Sequence, residues 1–428
     1  MKKLLQKLKL PHPKRRNNHQ KTNSHKIAAE LLFCIYSVTQ RQFIVYNFFV
    51  WKTVKISKLI FCKIHVKIIR KNNKDMIIYN RSYYMNIKND KNNNICKTIE
   101  LFAGAGGLAL GLEKAGFDTI GLVEIDKDAA DTLKFNRPEW RVINDDIANI
   151  SCLDLEKYFD LKSGELDLLS GGAPCQSFSY AGKKLGLEDA RGTLFYHYAK
   201  FLEQLQPKMF LFENVRGLLT HNKGKTYQII THIFEDTGYI IQKKVMNAWE
   251  HGVAQKRERL ITIGIRKDLA DKIDFSFPLP HQYKPVLKDI LTDCPKSIGT
   301  PYSEYKRKIF ELVPPGGYWK DIPEDIAKEY MKSCWNMEGG RTGILRRMSL
   351  DEPSLTVLTS PSQKQTDRCH PLEARPFTVR ENARCQSFPD EWQFCGSVGA
   401  QYRQVGNAVP VNLAYDIGLK IREALEGL

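Results

Sequence analysis

One cysteine lies in a tight loop directly after an apolar segment, in the run Ala173-Pro174-Cys175-Gln176-Ser177-Phe178. Residues 166–170 predict a buried strand, and Gly171-Gly172 allow the backbone to turn sharply at its carboxyl end. Open α/β sheets hold their ligands at that end, so Cys175 is a candidate nucleophile. A cysteine after a strand can equally be a small buried hydrophobic residue, and the other motifs must decide between the two interpretations.

A glycine-rich turn follows the first predicted strand of the same region. Residues 98–102 predict that strand, and Ala103-Gly104-Ala105-Gly106-Gly107 lead from it into a helix, where backbone amides can approach a ligand closely. Glu124 ends the next strand, twenty residues after Gly104, at a place where acidic residues commonly bind ribose hydroxyl groups. Asp146 could meet an adenine amino group. The pattern indicates a nucleoside cofactor, with a structural glycine turn as the alternative, and leaves NAD and S-adenosylmethionine both open.

Further motifs accompany the cysteine loop in a fixed order along the chain. They are Arg191-Gly192-Thr193-Leu194-Phe195, Glu213-Asn214-Val215, Gln255-Lys256-Arg257-Glu258-Arg259, Arg380-Glu381-Asn382-Ala383-Arg384-Cys385-Gln386-Ser387-Phe388-Pro389-Asp390 and Gln404-Val405-Gly406-Asn407-Ala408-Val409-Pro410. Together with Phe102 to Gly107 and the cysteine loop, this series resembles the DNA (cytosine-5) methyltransferases of bacterial type II restriction-modification systems. The resemblance runs from about Thr98 to Ala414.

The resemblance implies roles for four residues in catalysis. In that family a thiolate adds to C6 of cytosine, because C5 is too weakly nucleophilic to take a methyl group directly, and Cys175 would be this thiolate. Glu213 would hold N3 of the base, Arg259 would hold O2, and Arg257 would neutralise neighbouring charge. Two arginines at i and i+2 on a strand would share one face. Taken singly, Glu213 could belong to an ordinary ion pair, and the arginines could be solvated surface residues.

The resemblance also implies S-adenosylmethionine as the cofactor. The residues assigned to its pocket are Phe102, Ala103, Gly104, Gly106, Gly107, Glu124, Ile125, Asp146, Ile147, Pro174, Leu194, Asn407 and Ala408. Two positions depart from the family pattern, since Glu100 stands where Asp is frequent and Ala173 where Pro or Phe is frequent. No metal ligands are predicted, because the ten cysteines show no paired spacing.

Double-stranded DNA is the partner that the resemblance implies. The target base must swing out of the duplex to reach a pocket, and the loop after Cys175 has flexible residues and phosphate donors for this task. In the family a variable region reads the sequence, and here it covers roughly residues 275–375, with donors suited to base edges late in it. The predicted DNA-binding residues are Gln176, Ser177, Ser179, Lys183, Arg191, Gln255, Arg341, Arg346, Arg347, Lys364 and Arg368.

The elements that must position these residues alternate between apolar strands and amphipathic helices. This alternation predicts an α/β fold with a doubly wound, mostly parallel sheet of the Rossmann-like methyltransferase type. We predict strands at 98–102, 119–123, 209–213 and 259–265, and helices at 108–115, 193–205, 227–236 and 411–428. Four segments follow: a basic extension over 1–96, a catalytic and cofactor-binding domain over 97–270, a smaller loop-rich target-recognition domain over 271–403, and a C-terminal segment over 404–428 that packs back on the catalytic domain.

Positive charge is concentrated in the N-terminal extension. Residues 1–96 hold 21 Lys and Arg against 3 Asp and Glu, whereas the rest of the chain holds 44 against 45, so the net charge of +17 does not describe the body. We expect a disordered basic arm or an upstream extension with the true start at Met76 or Met85, and a nonspecific DNA-binding arm is a further alternative. No apolar run reaches the ~18 to 20 residues of a membrane span, and no signal-peptide cleavage site is evident.

The leading hypothesis is a site-specific DNA (cytosine-5) methyltransferase. We expect a cytoplasmic, nucleoid-associated monomer without membrane contact that protects host DNA from a restriction endonuclease with which it forms no stable complex. An RNA (tRNA) cytosine-5 methyltransferase of the same family is the alternative. A non-catalytic binding module fits less well, because Cys175, Glu213, Arg257 and Arg259 are all present. A nicotinamide dehydrogenase would leave the cysteine loop unexplained.

Overall fold

The computed structural model describes residues 66–71, 74–79, 95–174, 194–336, 338–339, 341–363 and 365–428. The chain divides into two units, residues 1–83 and 84–428. The first unit contains an antiparallel hairpin of β1 (Val66–Lys71) and β2 (Lys74–Tyr79). Met76 lies in β2, and Met85 lies outside the described residues. All other elements among the described residues belong to the second unit.

A seven-stranded sheet forms the centre of the second unit, in the order β5-β4-β3-β6-β7-β10-β8. Its strands are β3 (Lys97–Leu101), β4 (Asp118–Val123), β5 (Val142–Ile143), β6 (Leu168–Gly171), β7 (Met209–Val215), β8 (Tyr239–Asn247) and β10 (Glu258–Arg266). The five strands from β5 to β7 are parallel, whereas β10 runs antiparallel to both β7 and β8. This arrangement confirms the predicted α/β fold with a mostly parallel sheet.

Helices flank this sheet and build the second lobe. In the catalytic part they are α1 (Gly107–Lys114), α2 (Lys127–Asn136), α3 (Ile147–Ile150), α4 (Leu155–Phe159), α5 (Leu194–Leu205) and α6 (Lys225–Asp236). Farther along the chain come α7 (Leu287–Leu291), α8 (Glu304–Leu312), α9 (Glu324–Met331), α10 (Val379–Cys385), α11 (Val398–Asn407) and α12 (Val411–Leu425). None of the helices in the described residues combines the length and the apolar character needed to cross a bilayer.

The central strands bury side chains on both faces of the sheet. Along β7, Phe210 and Phe212 join the core that α5 and α6 cover, whereas Met209 and Leu211 join the core that α1 and α12 cover. This alternation follows from the two-residue period of a strand. Because helices cover both faces, β7 is apolar almost throughout, as expected for a central parallel strand.

Helix α12 returns the chain to the catalytic domain by packing on α1. The approach is close because small residues face each other, and a Cβ built on Gly111 would lie 2.4 Å from Cβ of Ala414. Apolar residues of α12, including Leu413 and Ile417, join the same core as Leu108 of α1. The predicted C-terminal helix over 411–428 is therefore observed as Val411–Leu425, in contact with the first helix of the sheet domain.

A second lobe with its own apolar cluster lies between α7 and α10. Its core contains Phe310, Trp319, Tyr330 and Leu345. The lobe is joined to the catalytic part by a short parallel pair, β9 (Gln255–Lys256) with β11 (Ser354–Leu355). Strand pairing thus holds the chain on both sides of Arg257. The strand β9 ends directly before it and pairs with β11, and β10 begins directly after it and pairs with β7 and β8.

Candidate active site

Glu213 and Arg259 form an ion pair where β7 ends and β10 begins. The antiparallel pairing places Arg259 opposite Val215, so its side chain reaches back to Glu213. Arg259 Nε lies 2.7 Å from Glu213 Oε1, and the two side chains are only 12% and 14% exposed. Charge-assisted hydrogen bonds are stronger where little water competes. The structure therefore brings these two predicted site residues together where the carboxyl end of β7 lies beside the amino end of β10.

The turn that leads to Cys175 packs directly against this ion pair. A Cβ built on Gly172 would lie 2.7 Å from Glu213 Oε2 and 2.8 Å from the Glu213 carbonyl oxygen. Asn214 Nδ2 donates to the carbonyl oxygen of Ala173 at 2.9 Å. The residues just before the cysteine are thus fixed against β7. The described residues do not include Cys175, nor Gln176, Ser177, Ser179, Lys183 and Arg191, which were predicted to contact DNA.

Gln255, predicted to contact DNA, lies in the protein interior. Its side chain is fully buried. Nε2 donates to the carbonyl oxygen of Cys385 and to Oε1 of Gln386, both at 2.9 Å, and Oε1 accepts from the backbone N–H of Val357 at 2.8 Å. Both N–H groups of the amide are therefore engaged. Gln255 joins β9 to two distant segments of the chain.

The side chain of Arg257 is also buried, and it donates to backbone carbonyl oxygens. It lies between β9 and β10, so it does not share one continuous strand with Arg259 as predicted. Its Nη2 donates to the carbonyl oxygen of Gly406 at 2.8 Å and its Nη1 to that of Val357 at 3.3 Å, while Nε has no acceptor among the described residues. Burial, assisted by the positive charge of Arg259, holds the pKa of Arg257 well below its usual value. Arg257 thus anchors the segment of Gly406 beside the ion pair.

The predicted glycine turn after β3 combines an open side and a closely packed side. Phe102 and Gly104 adopt left-handed backbone conformations, with φ of 57° and 55°. A Cβ built on Gly104 would meet no atom of the described structure within 4 Å. By contrast, a Cβ on Gly107 would lie 2.2 Å from the carbonyl oxygen of Val409. Gly104 therefore leaves room for a ligand, and Gly107 allows α1 to begin against the C-terminal motif.

Glu124 holds this turn with both oxygens of its carboxyl group. Oε2 accepts from the backbone N–H of Gly104 at 2.6 Å, and Oε1 accepts from that of Asp126 at 2.7 Å. Burial raises the pKa of Glu124, although these backbone donors oppose the change. The next residue, Ile125, is 65% exposed. An exposed apolar side chain beside a buried acceptor suits a flat heterocycle attached to a ribose.

Glu100, at the centre of β3, is a buried acid close to Glu124. Its Oε2 finds no hydrogen-bond partner in the described part of the chain. Burial, and after it the negative charge of Glu124, raises the pKa of Glu100 well above its ordinary value. In the sequence it stood out only as a replacement for Asp.

The remaining residues predicted for the cofactor follow the same edge of the sheet. Parallel strands end at one edge, so the turns after β3, β4, β5 and β6 lie side by side. Asp146 begins α3, where its Oδ1 accepts from the backbone N–H of Ala148 at 2.9 Å. The other positions at this edge are Ala103 and Gly106 in the glycine turn, Ile147 in α3, Pro174 after β6, Leu194 at the start of α5, and Asn407 with Ala408 at the end of α11.

Sequence reasoning missed two residues that hold this edge in place. Trp392 Nε1 donates to the carbonyl oxygen of Ala105 at 3.1 Å, so its indole ring closes one side of the glycine turn. Asn144 Nδ2 donates to the carbonyl oxygens of Glu124 and Ile125 at 2.8 and 3.1 Å. A single tryptophan or asparagine carries no spacing signal. Their partners are visible only in the fold.

Comparisons with known proteins identify the family of this chain. The family model for C-5 cytosine-specific DNA methylases matches residues 96–423. Type II methyltransferase M.Sau96I of Staphylococcus aureus is 57% identical over 79% of this chain and 79% of its own length, and M.Eco47II of Escherichia coli is 51% identical over 78% and 80%. The chain belongs to the C-5 cytosine-specific DNA methylase family.

Family membership makes this chain a DNA (cytosine-5) methyltransferase. The fold agrees with a solved prophage-encoded protein of Escherichia coli, described as a DNA modification methyltransferase. That structure has a TM-score of 0.57 and 24% identity, and the match covers 77% of this chain and 99% of the other. At this identity the likeness concerns the fold alone.

Two of the methyltransferase's predicted recognition arginines hold the second lobe together. Arg347 Nη1 donates to the carbonyl oxygens of Phe310 and Val313, at 3.2 and 2.9 Å. Arg341 Nη1 donates to the carbonyl oxygen of Cys334 at 3.0 Å. Because these contacts occupy donors inside the lobe, the environment of both arginines favours a structural role over DNA contact.

The other two recognition arginines make fewer contacts with carbonyl oxygens of the lobe. Arg368 Nη1 donates to the carbonyl oxygen of Asp367 at 2.8 Å. Nε of Arg346 and Nε of Arg368, like Nε of Arg341, are buried without an acceptor in the part of the chain that the structure describes. Arg346 Nη2 reaches Glu352 only at 3.9 Å. Burial lowers the pKa of Arg368, and the positive charge of Arg346 lowers it further. Two neighbouring guanidinium groups suit a phosphate or the acceptor edge of a base. Lys364 lies outside the described residues.

Proposed function

We propose that this methyltransferase transfers a methyl group from S-adenosylmethionine to C5 of a flipped cytosine in duplex DNA, through a covalent bond between Cys175 and C6. The observation that supports it is the ion pair of Glu213 and Arg259 packed against Gly172, where an added Cβ would lie 2.7 Å from Glu213 Oε2. Gly172 stands three residues before Cys175. The thiol and two groups able to hold a pyrimidine edge therefore belong to adjacent strand ends.

The proposed steps conserve atoms and electrons. Cys175 Sγ bonds to C6, and the electron pair of the C5–C6 double bond becomes available at C5. C5 would then take the methyl group of S-adenosylmethionine, as the bond between the methyl carbon and the sulfonium sulfur breaks, its electron pair stays on sulfur and S-adenosylhomocysteine leaves. Loss of the C5 proton and cleavage of the S–C6 bond restore the double bond and release the thiolate.

Glu213 and Arg259 would hold the pyrimidine during these steps. Oε1 of Glu213 is engaged by Arg259, whereas Oε2 faces the turn before Cys175, so Oε2 is the atom we assign to N3. Arg259 would hold O2, where its positive charge offsets the negative charge that develops as sulfur adds to the ring. Both groups are largely shielded from water, which makes their interactions with the base stronger.

The residues at the sheet edge fit the proposed cofactor. No atom of the described residues fills the space above Gly104, Glu124 offers carboxylate oxygens to a ribose, and Ile125 presents an apolar surface to an adenine ring. Asp146 stands at the end of the next strand, where it would accept from the adenine amino group. This arrangement supports S-adenosylmethionine binding one strand away from the ion pair.

The expected partner is duplex DNA, which Arg346 and Arg368 would contact from the second lobe. M.Sau96I and M.Eco47II are type II methyltransferases by name. We extend to this chain the protection of host DNA in the cytoplasm against a restriction endonuclease, by a monomer that forms no stable complex with it.

A direct test compares methyl transfer to duplex DNA and to tRNA with the full chain and its Cys175→Ser variant. We expect transfer to DNA alone, complete loss in the variant, and retained cofactor binding. DNA containing 5-fluorocytosine should form a denaturant-stable adduct, because fluorine at C5 cannot leave as a cation. Cys152→Ser removes an exposed thiol and is the matched control. Methylation or adduct formation by Cys175→Ser would refute the proposal, and transfer to tRNA alone would favour the RNA enzyme.

A further inference from the structure

Two histidines and a carboxylate from three distant segments converge beside the C-terminal helix. His251 ends the helical turn Ala248–His251, Asp416 lies in α12, and His281 lies in the segment that leads toward the second lobe. His251 Nδ1 and His281 Nε2 lie 2.8 and 2.7 Å from the same atom, Asp416 Oδ2. The three candidate ligand atoms all lie within 4.8 Å of one another.

The surrounding backbone holds this cluster in place. The N–H of His281 donates to the carbonyl oxygen of Glu250 at 2.8 Å, which fixes His281 beside the turn that carries His251. Asn412 Nδ2 donates to the carbonyl oxygen of Gly252 at 2.8 Å and ties α12 to the same turn. His251 and Asp416 are buried, so two of the three ligands are already withdrawn from solvent. The cluster is therefore built by the fold and does not depend on flexible surface side chains.

We propose that His251, His281 and Asp416 bind a divalent transition-metal ion, with Zn²⁺ as the best match. Imidazole nitrogens and a carboxylate oxygen are zinc ligands, and a water molecule would complete a tetrahedral shell. Ligand atoms around tetrahedral zinc stand about 3.3 Å apart, so each nitrogen–oxygen distance would widen by roughly 0.5 Å on binding. His281 is 44% exposed, which gives the ion a route from solvent.

The ion would stabilise the tertiary structure by cross-linking distant segments. It would join three segments: the turn after β8, the segment that leads toward the second lobe, and α12. The ligands from these segments are up to 165 residues apart in sequence. Neither the ion pair at Glu213 nor the turn at Gly104 takes part, so the site stands independently of methyl transfer. The sequence showed no metal motif because ligands brought together only by the fold have no regular spacing.

The test uses the full chain stripped with a chelator and titrated with ZnSO₄, by calorimetry and by thermal unfolding. We expect wild type to bind one more equivalent of Zn²⁺ than His281→Gln, and its Tm to rise by about 3–5 °C at roughly a hundredfold excess over Kd. The Gln amide still donates to Asp416 but is a poor zinc ligand, so the variant separates coordination from hydrogen bonding. His232→Gln, at an exposed histidine 3.6 Å from Asp236, is the matched control and should behave as wild type.

Co²⁺ provides a second measurement, since a tetrahedral site gives intense visible absorption that His281→Gln should lose. Binding should also weaken in acid, because protonated imidazoles do not coordinate. Equal Zn²⁺ stoichiometry and an equal Tm shift in wild type and His281→Gln would overturn the proposal, and so would the absence of binding in wild type. Either result would leave Asp416 as the shared acceptor of two imidazole N–H groups.

Discussion

Replacing Gly172 with Ala tests whether the turn before Cys175 must touch Glu213. The added Cβ would lie 2.7 Å from Oε2 and 2.8 Å from the carbonyl oxygen of Glu213, roughly 0.6 Å inside an ordinary contact. The carboxylate can rotate, but the carbonyl belongs to β7, which is held in the sheet by pairing with Ile261. The turn must therefore move by roughly 0.5 to 1 Å. A shift of that size between reacting groups costs up to about 10²-fold in rate.

We expect Gly172→Ala to lower kcat for methylation of duplex DNA by about 10- to 100-fold. Cofactor affinity should stay near the wild-type value, because the turn at Gly104 follows another strand. Overpacking should also lower the free energy of unfolding by about 1–3 kcal/mol, so urea unfolding accompanies the kinetics.

The matched control is Gly399→Ala. Gly399 lies in the first turn of α11, and the nearest atoms to an added Cβ are 4.0 Å away. This change should leave kcat unaltered and add about 0.5–1 kcal/mol of helix stability. A folded Gly172→Ala enzyme with wild-type kcat would refute the inference that contact between the turn and β7 positions Cys175.

Three further substitutions test the buried and recognition residues. Burial raises the pKa of Glu100 in the folded state, so the folded state binds more protons than the unfolded state. The free energy of unfolding therefore falls by about 1.4 kcal/mol per pH unit, from about pH 4.3 up to the pKa of the folded state. Glu100→Gln should therefore raise Tm near pH 8 but not near pH 4, and an equal effect at both would contradict this cause. Arg257→Lys should cost about 1–3 kcal/mol in urea unfolding through the lost contact with Gly406, and an unchanged midpoint would exclude it. Arg368→Ala should weaken DNA binding by about 1–3 kcal/mol at constant Tm, whereas Arg347→Ala should lower Tm; the reverse pattern would exchange their assigned roles.

Local periodicity was sufficient to predict the parallel half of the sheet. The predicted strand at 209–213 extends to Val215, and the predicted helix at 227–236 begins at Lys225. The nine-residue strand β8 (Tyr239–Asn247) was missed. It lies at the edge of the sheet, and polar residues such as Gln242 and Lys243 interrupt its apolar pattern because water reaches them.

The surroundings of individual motif residues were harder to predict than the motifs themselves. Glu213 and Arg259 meet because β7 and β10 are neighbours in the sheet, and that pairing was not predicted from the sequence. Gln255 was predicted to contact DNA and Arg257 to neutralise charge in catalysis. Their partners are 100 or more residues away, at Val357 and beyond, so no local pattern could reveal that both are interior anchors.

The amide of Gln255 bears on how recognition regions could be exchanged between relatives. It accepts from the backbone N–H of Val357 and donates to the carbonyl oxygen of Cys385, so the two ends of the segment 358–384, the last part of the second lobe, meet at one buried group. A transplanted segment that includes Val357 or Cys385 would have to restore these contacts, whereas a segment confined to residues 358–384 keeps both contacts of the recipient. Chimeric enzymes that exchange residues within 358–384 should therefore fold better than those with a junction at Val357 or Cys385.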